Sequence, residues 1–221
     1  YENAENKDAL VFGVCEQADM GIDVQSINFK DQIKYELLDP VMAKGPCWAR
    51  ARIQHLITDE EYFLQIDSHT IFAKSWDRIL LNYHSWLEKC LENSFVISGY
   101  PRGFKPNKEL TSFELNTAYK ETLGITFREK RMFEDGYYSM QKSFPANTNL
   151  PAKGLLVAGG FIFARKEFAS FIPYDPKFYF HFQAQVRQLR VLQIQWCLRN
   201  QFPSCDYLNC LDSNLAHLLL W

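Results

Sequence analysis

Excess charge of one sign, long apolar runs and closely paired cysteines are all missing from this chain of 221 residues, and each absence excludes something. The formal net charge is only −2, and the seven basic residues between 102 and 131 are interspersed with four acids. No basic stripe of the kind that reads nucleic acid is present. No apolar run approaches the roughly 20 residues of a membrane-spanning helix. Six cysteines stand at 15, 47, 90, 197, 205 and 210, and none forms Cys-x-x-Cys or matches a zinc spacing. A chain of this length does not need disulfides, so the six are read as mostly reduced thiols in a cytoplasmic compartment. A P-loop, a G-x-S-x-G elbow and a Cys/His nucleophile arrangement are also missing. The sequence begins at Tyr1 rather than Met, so the lack of a targeting segment carries no weight.

What is present suits a substantial α/β core. Hydrophobic residues make up 47% and aromatics 15%, which provides bulky packing and material for a saccharide-binding surface. Strands are expected at residues 10–15, 35–41, 62–66 and 95–98, with two further strand pieces around Gly159-Gly160. A helix is expected from Trp48, with Ile53, Leu56 and Ile57 on one face, after the breaker pair Gly45-Pro46. The strongest helical signal covers residues 75–91. There Trp76, Ile79, Leu80, Tyr83, Leu87, Cys90 and Leu91 recur at i, i+3, i+4 spacing, and Ser75 stands where a cap belongs. Residues 102–150 read as loops with a short edge hairpin that could wall an acceptor cleft. Neither repeats nor a linker divides the chain, so one domain over 1–221 is expected.

The most informative stretch is Gln65-Ile66-Asp67-Ser68-His69, directly after the apolar run Tyr62-Phe63-Leu64. A strand ending in Asp-x-His presents a carboxylate and an imidazole, on alternate residues, at its carboxyl end, where open α/β sheets bind ligands. Oxygen and nitrogen donors together suit Mn²⁺ or Mg²⁺, with positions left for a phosphate-bearing substrate. The same tripeptide also fits a loop cap, in which Asp or Ser bonds a nearby backbone N–H.

Several blocks in fixed order then carry a resemblance: Gly45-Pro46-Cys47-Trp48-Ala49-Arg50-Ala51-Arg52; Glu61 through His69; Phe72 with Trp76-Asp77; Val96-Ile97-Ser98-Gly99-Tyr100-Pro101; and Ala158-Gly159-Gly160-Phe161-Ile162-Phe163-Ala164 with Pro173-Tyr174-Asp175-Pro176. Gly13-Val14-Cys15-Glu16-Gln17 adds a further strand. Together they resemble the hydroxyproline-directed N-acetylglucosaminyltransferase family, across roughly residues 10–176. The resemblance implies a GT-A type α/β fold, with a mixed central sheet and flanking helices. It also implies transfer of N-acetylglucosamine from its UDP donor to a hydroxyl of a protein or glycan, in the cytoplasm and with a divalent metal. Asp67 and His69 become metal ligands, with Asp67 bridging to the diphosphate. His217 is open to two roles, a third ligand or a surface or core histidine. Arg50 is open to phosphate pairing or to a structural salt bridge with a neighbour such as Glu60. Gly159 and Gly160 either admit a substrate close to the backbone or form a simple bulge. Asp175 is a catalytic candidate or a turn residue. Trp76 and Trp86 are read as packing residues, and His55, His84 and His181 as ordinary helix or surface residues.

Two departures from the family pattern stand out. The family's opening strand, with its S-Y-R-D-like segment, has no counterpart after Tyr1. Residues 177–221 diverge as well. Phe180-His181-Phe182-Gln183-Ala184-Gln185-Val186 replaces the expected F-x-G-E-E segment, and no Asp or Glu lies between Asp175 and Asp206. The alternative reading is therefore a non-catalytic member that binds a nucleotide sugar or a protein partner. A third is metal-dependent hydrolysis of a nucleotide diphosphate.

Overall fold

The computed structural model describes residues 1–67, 70–91, 94–101, 103–108, 112–115, 123–127, 141–145 and 157–177. These form a mixed α/β structure of small sheets and few helices. The described residues fall into two compact units, one of 1–2, 6–63 and 164–177, the other of 3–5 and the described residues of 64–163.

In the first unit, β1 (Phe12–Gln17) and β2 (Ile33–Leu38) pair in parallel, with Phe12 opposite Ile33 and Gln17 opposite Leu38. Both strands lie two residues from their expected starts. A 3₁₀ turn at Pro40–Met42 follows β2, because the Asp39 carboxylate accepts the Val41 N–H at 2.8 Å. Helix α1 (Pro46–His55) begins two residues before the expected Trp48. Gly45 sits at φ 90°, which a side chain disfavours, and Pro46 opens the helix with its φ already set and no N–H to satisfy. Its fully buried positions are the small residues Cys47, Ala49 and Ala51, while Ile53 and Leu56 pack half-buried on β1 over Gly13. A Cβ at Gly13 would meet Ile53 Cγ2 at 3.0 Å, so glycine there sets how closely α1 and β1 approach. Helix α3 (Glu167–Phe171) closes the unit, with Phe168 stacked on Phe63.

A three-stranded sheet has the order β3 (Tyr62–Ile66), β9 (Phe161–Arg165), β4 (Ile97–Ser98). Strand β4 is antiparallel to β9, with Ile97 opposite Phe163. The bonds Lys166 N–H to Glu61 O and Asp67 N–H to Gly160 O show that β3 is antiparallel to β9 as well. Of the two strand pieces expected around Gly159-Gly160, the first lies largely outside the described residues; Gly159-Gly160 itself forms the turn that feeds β9, closed by Phe161 N–H to Ala158 O at 3.1 Å.

Helix α2 (Trp76–Cys90) buries Trp76, Ile79, Leu80, Tyr83 and Leu87, the stripe its spacing requires. Three details differ from expectation. Cys90 is exposed. His84 is 1% exposed and packs on Phe95 and Phe163, because positions 76, 80 and 84 continue the same face. Ser75 makes no cap bond, because its left-handed backbone (φ 58°, ψ 29°) departs from the extended geometry a capping side chain needs. Instead the Asn3 backbone carbonyl accepts the Ser75 N–H and the Asn3 side chain donates from Nδ2 to Phe72 O, both at 2.6 Å. Asp77 accepts the Glu5 N–H at 2.8 Å and holds the same segment.

Within 102–150, two antiparallel pairs appear rather than one hairpin: β5 (Phe104–Pro106) with β6 (Phe113–Leu115), and β7 (Leu123–Phe127) with β8 (Gln141–Pro145). Ile125 of β7 is buried. Among the described residues no helix is long and apolar enough to cross a membrane.

Candidate functional site

Phe63, Gln65 and Asp67 alternate on one face of β3, so the polarity of that face rises toward its carboxyl end. Phe63 is buried, Gln65 is 9% exposed, and Asp67 stands half-buried just past the last strand residue. The Ala158–Phe161 turn lies directly beside it. Gly160 O accepts the Asp67 N–H at 3.1 Å, and Gly159 O accepts from Gln65 Nε2 at 2.6 Å. From β4, the fully buried Ser98 hydroxyl accepts the Ala158 N–H at 2.9 Å and donates to Phe161 O at 2.8 Å. The turn is therefore gripped from both strands flanking β9.

Glycine at 160 is a requirement of this contact. A Cβ there would overlap Asp67 Oδ2 and come within 3.0 Å of its Cγ. The volume a side chain would take is filled by the Asp67 carboxylate. The close neighbour at Gly160 is this acid. Gln65 and Ser98 were not singled out from sequence. Their signal was a polar residue within an otherwise apolar strand, which a buried position tolerates only when its hydrogen bonds are made.

The other candidates have separate settings. Arg50, on α1, places its guanidinium 5.6 Å from the ring centre of Tyr174, and the Tyr174 N–H donates to Gln54 Oε1 at 2.9 Å. The Pro173-Tyr174-Asp175-Pro176 block thus lies along α1. Glu60, the salt-bridge partner considered for Arg50, pairs instead with Lys34 at 2.6 Å. Asp175 Oδ1 accepts the Lys177 N–H at 2.9 Å, which is the turn its composition suggests. His69 and His217 lie outside the described residues, and among the described residues no three His, Cys, Asp or Glu side chains gather as a metal cluster. Cys15, Cys47 and Cys90 are free thiols, and burial, followed by the Glu36 charge, pushes the Cys15 thiol up and away from reactivity.

A second feature of the first unit was only half visible in sequence. Trp48 borders two concavities, of about 530 and 510 Å³, and Pro176 lines both. The Arg52 guanidinium lies 5.2 Å from the Trp48 ring centre and grips the Glu36 carboxylate through Nε and an Nη. Trp48 therefore stands in the first turn of α1, with one contact to a fixed cation.

The model of the family described as Glycosyltransferase (GlcNAc) matches residues 2–185. The chain belongs to this family. A search of curated proteins finds no match. The matched region holds Arg50, Asp67, Gly159, Gly160 and Asp175, and His217 falls beyond it. Membership in a glycosyltransferase (GlcNAc) family assigns the chain to the transferases, which use a sugar donor and an acceptor.

Proposed function

We propose that this glycosyltransferase is metal-dependent, has a GT-A type fold, and moves N-acetylglucosamine from UDP-GlcNAc to a hydroxyl of a hydroxyproline-containing protein or a glycan. The single observation that carries the reading is the Asp67 carboxylate seated in the space left by Gly160 at the end of β3. The donor set is chemically apt: hard carboxylate oxygen from Asp67 and imidazole nitrogen from His69 suit Mn²⁺ or Mg²⁺. His217 is a further candidate ligand. When bound, such an ion supplies Lewis-acid neutralisation of charge on the departing diphosphate.

The chain's own residues do the rest. Asp67 orients the diphosphate end of the donor. Arg50 offers a guanidinium that can pair with two phosphate oxygens, with its position supported by the Tyr174 ring. In transfer, the acceptor oxygen bonds to the sugar's anomeric carbon as the bond to the diphosphate breaks, and the hydroxyl proton passes to a base. Asp175 is the carboxylate proposed for that proton, because residues 176–205 contain no acid. Its Oδ1 already accepts the Lys177 N–H, leaving Oδ2 for this role.

One specific observation favours a second reading, a member that binds nucleotide sugar without turning it over. It is the missing Gly-Glu-Glu in the stretch from Asp175 to Asp206. Assay of UDP-sugars with Mn²⁺ or with a chelator, each with and without a hydroxyproline peptide, tests the two together. The proposed function expects UDP release that requires both metal and acceptor. Metal-dependent binding without UDP release identifies the second reading, and metal-dependent release indifferent to the peptide identifies a hydrolase.

A further inference from the structure

We infer that Gln65 and Ser98 are positioning residues for the Asp67 carboxylate, acting through the Gly159-Gly160 turn. The inference rests on the metal reading of Asp67 and extends it to residues that touch neither ion nor donor. Four polar contacts converge on the turn. Gln65 Nε2 donates to Gly159 O at 2.6 Å, and the Asp67 N–H donates to Gly160 O at 3.1 Å. Ser98 Oγ accepts from Ala158 and donates to Phe161. Both side chains are at least nine-tenths buried, so neither bond is exchanged freely for water.

What the turn fixes is the location of Gly160 Cα against Asp67. Contact at that point leaves no room for even one added methyl group, so a small displacement of the turn changes where the carboxylate can sit. Gln65 shares a strand face with Asp67 and is two residues away from it, so one strand carries both the acid and the donor that orients its support. Ser98 ties the far side of the same turn to β4 through two bonds from one hydroxyl, and Ala cannot replace either of them. Outer partners of this kind typically change metal affinity by roughly 10-fold to 100-fold when removed.

The test is Mn²⁺ titration in the presence of UDP, followed by electron paramagnetic resonance, on the parent and on Gln65→Met, Ser98→Ala and Ser98→Thr. Leu87→Ala serves as a control, because it removes buried volume from α2 without removing any of the four polar contacts to the turn. The expected result is weaker Mn²⁺ uptake by roughly 10-fold or more in Gln65→Met and Ser98→Ala, with an altered bound-ion spectrum at saturation. Ser98→Thr keeps the hydroxyl and restores binding, and Leu87→Ala melts at lower temperature yet binds as the parent does. If Ser98→Ala does not fold, Gln65→Met decides the matter alone, since the β3 backbone ladder is untouched. Variants that bind as tightly as the parent overturn the inference, as does a Leu87→Ala loss equal to that of Gln65→Met. A parent that takes up no Mn²⁺ with UDP overturns the metal reading itself and this inference with it.

Discussion

At the scale of single residues, the contact between Asp67 and Gly160 separates stability from function. A Cβ at position 160 meets the end of a rotatable side chain, not backbone, so the protein can yield by turning the carboxylate aside. Gly160→Ala should therefore cost no more than about 1 kcal/mol in urea unfolding. The same variant should bind Mn²⁺ and UDP at least tenfold more weakly, because the carboxylate has left its seat. A large stability loss with intact binding would place the strain in the backbone and remove Asp67 from the account. Asp67 itself was legible from sequence because it ends an apolar strand. Gln65 and Ser98 were not, because a lone polar residue in a strand gives no sign of which backbone group it will meet.

Among the elements, a lysine from β2 ties down the link from α1 to β3. Lys34 Nζ, from β2, donates to Leu56 O at 2.9 Å, to Thr58 Oγ1 at 2.6 Å and to Glu60 Oε1 at 2.6 Å. Burial alone pushes the Glu60 carboxyl up, but bonds from Lys34, the Thr58 N–H and its own N–H outweigh it and bring it from 4.5 down to about 2. A depressed folded-state value means that this stabilisation is fully present above about pH 4.5 and is lost as pH falls toward about 2. Because the pair is partly open to solvent, its contribution is on the order of 1 kcal/mol. Glu60→Gln should flatten the pH dependence of urea midpoints between pH 4.5 and 2 and leave that above 5 unchanged, and an unaltered slope would contradict the assignment.

Helix α2 supports a second prediction at this scale. With no cap bond from its side chain, Ser75→Ala should change stability by less than about 0.5 kcal/mol, where a working cap would cost about 1 kcal/mol. Asn3→Ala should cost more than Ser75→Ala, since it removes the side-chain bond to Phe72 O, while the Ser75 N–H keeps its bond to the Asn3 backbone carbonyl. Equal losses would show that the cap rule holds here after all. The helix and its buried face were readable because a period of 3.6 repeats through residues 76–87. The N-terminal contact was not, because it joins positions about 70 apart and no local pattern encodes such a partner. His84 is a helix residue as expected, and its place at 76, 80, 84 on the stripe puts it on the buried face.

For the whole molecule, the family is established over residues 2–185. The order of the blocks made the family legible, while the short strand pairs within 102–150 were obscured by polar, irregular composition. With no acid from 176 to 205, turnover on a hydroxyproline acceptor should be weak in the parent. It should rise in a chimera carrying Gly-Glu-Glu at 184–186, while nucleotide-sugar affinity stays the same. Full activity of the parent would mean that Asp175 suffices as the base without the missing glutamates.

The central claim is that Asp67 holds the metal and diphosphate end of a nucleotide-sugar donor. Calorimetric titration of UDP in the presence of Mn²⁺, on the parent and on Asp67→Asn, tests it most directly. The account predicts metal-dependent binding by the parent and its loss in the variant, with an unchanged melting temperature because the side chain stands past the strand end, outside the core. Equal affinity in the two proteins would contradict it.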